Sequence, residues 1–221
     1  MSARELPFLW SPPPGSSNGI AFVDRSGEGF TQPGPGGERL APNPHLQEVQ
    51  LLEGVFDATE CDRIIGLGRS RPRWDGRCTS DDPAYRVCLT SWLEEQESNA
   101  WVFERISQAV HEANQCLAFD LAGFGEPLHY VEYGAGGGFE WHSDLTSGRA
   151  SNRKLSVSLQ LSAPGDYEGG ELELCPHGVM KGFRERGSVL AFPAYIPHRV
   201  LRIGKGMRRA LVAWIHGPAF R

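Results

Sequence analysis

Apolar residues along this chain recur at two different spacings. In "ESNAWVFERISQAVHEANQCLAF", Trp101, Val102, Ile106, Ala109, Val110 and Ala113 return every three or four residues, which predicts an amphipathic helix. Upstream, "LQEVQLLEGVFDATECDRIIGLG" reads as a short strand and then a helix, with Asp57 and Thr59 placed to cap its first turn and Cys61, Ile64, Ile65 and Leu67 in helical register. After Gly125 the pattern changes to short strands broken by glycine and proline: "PLHYVEY", "KLSVSLQLS", "GELELCP", "GSVLAFP", "HRVLRI" and "RRALVAWI". Antiparallel strands this closely spaced predict a mainly β fold with supporting helices, as a sandwich, jelly roll or barrel.

Residues 1–45 follow neither spacing. Their density of Pro, Gly, Ser and Asn favours turns and extended segments, yet Phe8, Trp10, Ile20, Phe22 and Phe30 are too much apolar surface for a purely solvated tail. The expected organisation is an irregular arm over 1–45, packed on the body. One domain follows over 46–221, with helical support in 46–125 and a β core in 126–221.

At 221 residues the chain can bury one sizeable core. A formal charge of -5 gives no broad basic excess, so no nucleic-acid partner is expected. Five scattered cysteines without a CxxC pair suggest neither a disulfide framework nor a thiolate zinc site, and a reducing cytoplasm fits them best. No leader-like or membrane-spanning apolar run is present, so neither secretion nor a membrane partner is expected, and nothing in the pattern specifies an oligomeric state.

The chemistry starts at "FEWHSDL". His142 and Asp144, at i and i+2 of a strand, project to one face and can reach one ion, although an HxD pair alone is a common accident. His198 in "FPAYIPHRV" adds the third ligand of a two-histidine, one-carboxylate facial triad, a set that leaves positions open for non-haem Fe(II) chemistry. In "IGKGMRRALVAWIHGP" a Gly-Lys-Gly turn is expected to bring Arg208 back beside His198, so that His198, Val200, Arg202, Arg208, Ala210 and Val212 share a face. An arginine buried there needs an anion, and a dicarboxylate co-substrate would supply it. Arg209 should point the opposite way, into solvent.

With these residues, 126–221 resembles the prolyl 4-hydroxylase-like branch of the Fe(II)/2-oxoglutarate-dependent dioxygenases. "HSD" matches the branch's HxD pair, "FPAYIPH" its distal histidine, and "GKGMRRALVAWIHGP" its arginine strand. Weaker matches in "VFDATECDRII", "YRVCLTSWL" and "KLSVSLQLSAPGDYEGGEL" extend the resemblance back to about Glu48. The resemblance implies a double-stranded β-helix core of the jelly-roll or cupin-like kind, with Fe(II) on His142, Asp144 and His198 and the far carboxylate of 2-oxoglutarate on Arg208. It further implies O2 as co-substrate, ascorbate as accessory reductant, and hydroxylation of a C–H bond with release of succinate and CO2. Tyr133 and Gln160 stand where the branch keeps groups near the co-substrate, and ordinary core packing is an equal reading of both.

Substrate identity is less determined. The branch points to a prolyl or other side chain in a peptide or protein, with a free amino acid or small metabolite as the alternative and a non-catalytic metal-binding jelly-roll module as the rival class. Arg86, Trp92 and Arg149, on segments flanking the expected pocket mouth, are the candidate substrate contacts.

Overall fold

A computed structural model of the chain describes residues 22–23, 29–30, 46–76 and 82–220. The chain divides into two units, Met1–Pro44 and His45–Arg221. In the first, β1 (Phe22–Val23) pairs antiparallel with β2 (Gly29–Phe30). The expectation that the arm packs on the body lies outside the described residues.

The second unit opens with β3 (Gln50–Leu52), α1 (Ala58–Arg69), β4 (Trp74–Asp75), β5 (Arg86–Val87), β6 (Leu89–Leu93) and α2 (Ala100–Leu117). It continues through β7 (Gly123–Phe124), β8 (Leu128–Tyr133), β9 (Gly138–His142), β10 (Arg153–Gln160), β11 (Tyr167–Gly169) and β12 (Leu172–Leu174). The last elements are β13 (Gly178–Val179), β14 (Val189–Pro193), β15 (His198–Val200), β16 (Ile203–Gly206) and β17 (Arg208–His216). The major sheet has the order β3-β14-β10-β17-β8-β6-β4, with β7 also on β17, and the minor sheet has the order β13-β12-β15-β9-β5. No helix among the described residues is long and apolar enough to cross a membrane.

Both predicted helices form where the spacing put them. At the start of α1, Asp57 accepts from the Glu60 amide at 2.8 Å while Glu60 accepts from the Asp57 amide at 2.9 Å, a reciprocal capping box in which Thr59 plays no part. Gly68 lets α1 lie close on the sheet, because a Cβ there would come within 2.4 Å of the Tyr130 ring. Alternation along the major sheet then separates two environments. Leu155, Val157 and Leu159 of β10, with Leu211, Ala213 and Ile215 of β17, pack against Ile64, Ile106 and Val110 of the helices. The opposite faces of the same strands, carrying Ser156, Ser158 and Arg208, turn toward the minor sheet, and between the sheets Val131 and Phe192 of the major sheet and Leu174 and Val200 of the minor sheet belong to a second apolar cluster.

β15 and β17 do not form the expected hairpin. β15 pairs with β9 and β12 in the minor sheet, while β17 pairs with β8 and β10 in the major one. Between them the chain runs through β16, which pairs with β11. Gly206, at φ +78° and with no room for a Cβ beside the Asp166 carbonyl, makes the turn into β17. His198 and Arg208 therefore face one another across the sandwich.

On the helix side of β8, Glu132 is 2% exposed yet charged. Arg69 donates to its carboxylate at 2.8 Å, Arg73 at 3.0 Å, Arg209 at 3.2 Å and the Tyr130 hydroxyl at 2.8 Å. Burial opposes the charge, but Arg69, Tyr130 and Arg209 outweigh it and hold Glu132 below the usual carboxylate range. Arg209 is thus a clamp between sheet and helix rather than a solvated side chain. Removing one partner of a buried ion pair costs about 3–5 kcal/mol. Because Arg69 and Arg73 are nearly half exposed and regain water, Glu132→Ala should lose about 3 kcal/mol in denaturant unfolding, with Glu132→Gln losing less. A loss under about 1 kcal/mol would show that the cluster is ornamental.

Candidate active site

His142 closes β9 and is the Cα partner of His198 on β15, so strand pairing sets the two imidazoles side by side, with ring centroids 4.2 Å apart. His142 donates Nδ1–H to the Glu140 carbonyl at 2.8 Å, and His198 donates to the Ile196 carbonyl at 3.0 Å. A carbonyl only accepts, so each ring carries its proton on Nδ1 and presents the Nε2 lone pair. Asp144 follows just beyond the strand end. Its Oδ1 is 3.9 Å from His142 Nε2, and its Oδ2 is 3.5 Å from His198 Nε2. One donor atom from each residue lies within 4.8 Å of the others.

The walls hold these rings in place. Phe139 stacks on His142 at 3.5 Å and Phe192 meets His198 edge-on at 4.9 Å. Burial, followed by the neighbouring His198, pushes the His142 imidazole well below its ordinary range, so it stays neutral and able to donate its lone pair. For Asp144 burial works in the opposite sense, toward the neutral acid. The two imidazoles, the Ser156 hydroxyl and the Trp214 N–H outweigh it and keep the carboxylate charged. Two imidazoles and one carboxylate at this separation are the donor set of a divalent-metal site with open positions.

These residues line a cavity of about 830 Å³ between the sheets. Arg208 also lines it, from β17 and only 3% exposed. Its Nε donates to Gln160 Oε1 at 3.2 Å, and among the described residues no carboxylate pairs with it. Gln160 does not line the cavity. Its amide NH2 is spent on the Ser162 carbonyl and the Tyr167 hydroxyl, each at 3.0 Å, which turns its oxygen toward Arg208 and leaves the guanidinium's outer nitrogens for the cavity. Tyr133 lines the cavity as the Cα partner of Arg208, whose guanidinium carbon stands 5.8 Å from the ring centre. The residues therefore fit a metal and a dicarboxylate together: nitrogen and oxygen donors at one place, and a buried cation lacking an acid at another.

Of the three candidate substrate contacts, Arg86 and Trp92 line the cavity. Arg149 does not, because the 3-10 turn Gly148–Asn152 carries it on the exposed side of the chain. Arg202 also leaves the expected face, donating to Glu140 on the minor sheet at 2.9 Å. Sequence reasoning missed a column across the major sheet in which Trp92 stacks on His129 at 4.4 Å, His129 on Trp214 at 5.5 Å, and Arg153 covers Trp214 at 3.8 Å. The only trace of it in the sequence was a polar or aromatic residue at every second position of strands buried on both faces.

Burial, then the charge of Arg86, pushes the His129 imidazole down to about 3. An unfolded chain protonates it near 6.5, so its contribution to stability is complete above that pH and is lost as pH falls toward 3. Between pH 6.5 and 5 the loss amounts to about 2 kcal/mol. His129→Phe, which keeps the stack, should flatten the pH dependence of melting over that window, and curves parallel to the parent would contradict this assignment.

The sequence profile of the 2OG-Fe(II) oxygenase superfamily matches residues 128–216. A PKHD-type hydroxylase of Nitrobacter winogradskyi is 26% identical over 178 residues, covering 75% of this chain and 77% of the relative. Another from Synechococcus sp. (strain CC9902) is 36% identical over 146 residues, covering 64% of each. Among solved structures, a Pseudomonas putida prolyl-4-hydroxylase shares the fold with a TM-score of 0.61 at 20% identity, over 78% of this chain and 94% of that one. A Trichoplax adhaerens prolyl hydroxylase in complex with a peptide fragment of the hypoxia inducible factor oxygen degradation domain gives 0.61 at 19% identity, over 76% and 83%. The matched segment is the one that builds the cavity, from the first residue of β8 to the last of β17, and this match together with the PKHD-type hydroxylase relatives supports an enzyme of the 2OG-Fe(II) oxygenase class.

Proposed function

We propose that this enzyme hydroxylates a C–H bond of a prolyl or other side chain in a peptide or protein. In this reading His142, Asp144 and His198 hold the iron, and Arg208, backed by Gln160 and beside Tyr133, grips the far carboxylate of 2-oxoglutarate. The observation that carries it is the buried Arg208 without an acid, facing the His–Asp–His donor set across one cavity. Support for the substrate comes from the relatives, which are PKHD-type hydroxylases, and from a shared fold whose examples include a prolyl hydroxylase bound to a peptide fragment.

Iron, when bound, supplies the redox centre at which O2 and 2-oxoglutarate are converted to succinate and CO2 while one oxygen atom enters the substrate. The chain's own residues supply geometry. The Nδ1–H bonds fix which nitrogen each histidine offers, Arg208 pins one end of the co-substrate, and the stacked Trp92, His129 and Trp214 rings form one wall of the cavity. Arg86 and Trp92 at the cavity wall are the assigned substrate contacts. We assign the oxygenase domain to 46–221 and treat 1–45 as a separate arm, a division supported by the split of the chain at Pro44.

The test is succinate formation from 2-oxoglutarate by the Fe(II)-loaded full chain, with ascorbate as reductant, with and without prolyl peptides. Peptide should stimulate succinate release and gain one oxygen by mass. His198→Ala should lose stoichiometric metal binding together with succinate formation, and unchanged metal stoichiometry in that variant would sink the ligand assignment.

A further inference from the structure

Asp144 lies past the end of β9, with no ladder of its own to hold it, and is fixed instead from neighbouring segments. Its amide donates to the Ala194 carbonyl at 3.0 Å, and its carbonyl accepts from Arg153 at 3.2 Å. Arg153 is in turn locked by Glu126 through two bonds, at 2.7 and 2.6 Å. The side chain is held by Ser156 on β10, whose hydroxyl donates to Asp144 Oδ2 at 2.5 Å. Ser156 is 1% exposed, and that is its only side-chain hydrogen bond among the described residues. Its Cα partner on β17 is Trp214, whose indole N–H favours the charged carboxylate without closing a hydrogen bond, so that among the described residues Ser156 is the one side-chain donor bonded to it.

A carboxylate can bind a metal through one oxygen or through both. Chelation by both would consume one of the three positions that a bidentate co-substrate and O2 require. We propose that Ser156 is a positioning residue that keeps Asp144 a one-oxygen ligand, occupying Oδ2 so that only Oδ1 is offered to the metal. This rests on the iron reading above. A short charge-assisted bond of this kind, made by a hydroxyl only 1% exposed, has no ready solvent substitute.

The experiment compares Ser156→Thr, which keeps the hydroxyl, with Ser156→Val, which keeps the same shape without it, and with Ser156→Ala, all in the full chain. Co(II) is the probe, because its visible absorption reports coordination as well as occupancy. Val and Ala should bind Co(II) about 10–100-fold more weakly than the parent, with an altered absorption spectrum, and Thr should restore both affinity and spectrum. Melting curves identify a variant that fails to fold, and if Ala fails the Thr and Val pair decides. Equal Co(II) affinity and spectra for Thr and Val, with normal binding by the parent, would overturn the role of Ser156 and leave the metal site standing. Absence of Co(II) binding by the parent itself would overturn both.

Discussion

A guanidinium buried to 3% exposure that, among the described residues, meets an amide oxygen but no acid is the constraint on which this structure turns. An unpaired charge in the interior is tolerable only if an anion arrives or water reaches it. Here the cavity supplies the route, Gln160 fixes the guanidinium's orientation, and the opposite wall carries two imidazoles and a carboxylate. A ligand with an acid at one end and metal-binding oxygens at the other satisfies both walls together.

The sandwich makes this possible by keeping stability and chemistry on opposite faces of the same strands. On β10 and β17 the helix-facing positions are aliphatic and sealed by α1 and α2, while the facing Glu132 cluster ties helix, sheet and Arg209 together. That rigid backing lets the inner positions be polar. Ser156, Ser158, His129 and Arg208 would be poor core residues in an ordinary sandwich, and here they sit around a cavity at the registers that strand pairing dictates.

Much of this was legible in the sequence, and the rest was lost for physical reasons. HxD, the distal histidine and Arg208 could be read as short motifs in the order of the resembled family, although Asp144 lies past the end of β9 and Arg208 stands in the other sheet from His198. The helices could be read because their apolar spacing is unbroken. The β15 to β17 connection was misread as a hairpin, since a Gly-Lys-Gly turn looks the same whether the chain folds back on its own strand or crosses to the other sheet. Gln160 was legible as inward-facing but not as lying behind Arg208, a fact set by Tyr167 and Ser162. Ser156 on β10 meets Asp144 from beyond the end of β9, and no local pattern encodes that pairing. The short β4, β5 and β7 are two residues each, too brief for alternation to announce them.

The most direct test of the account is a double-mutant cycle on the ligand. Under anaerobic conditions, binding of 2-oxoglutarate and of 2-oxobutyrate, which lacks the far carboxylate, is measured on metal-loaded parent and Arg208→Ala proteins. The account predicts that the parent prefers 2-oxoglutarate by at least about 10- to 30-fold, the range of a charge-assisted bidentate pair, and that Arg208→Ala abolishes most of that preference. The same preference in both proteins would show that the buried arginine does not meet the co-substrate.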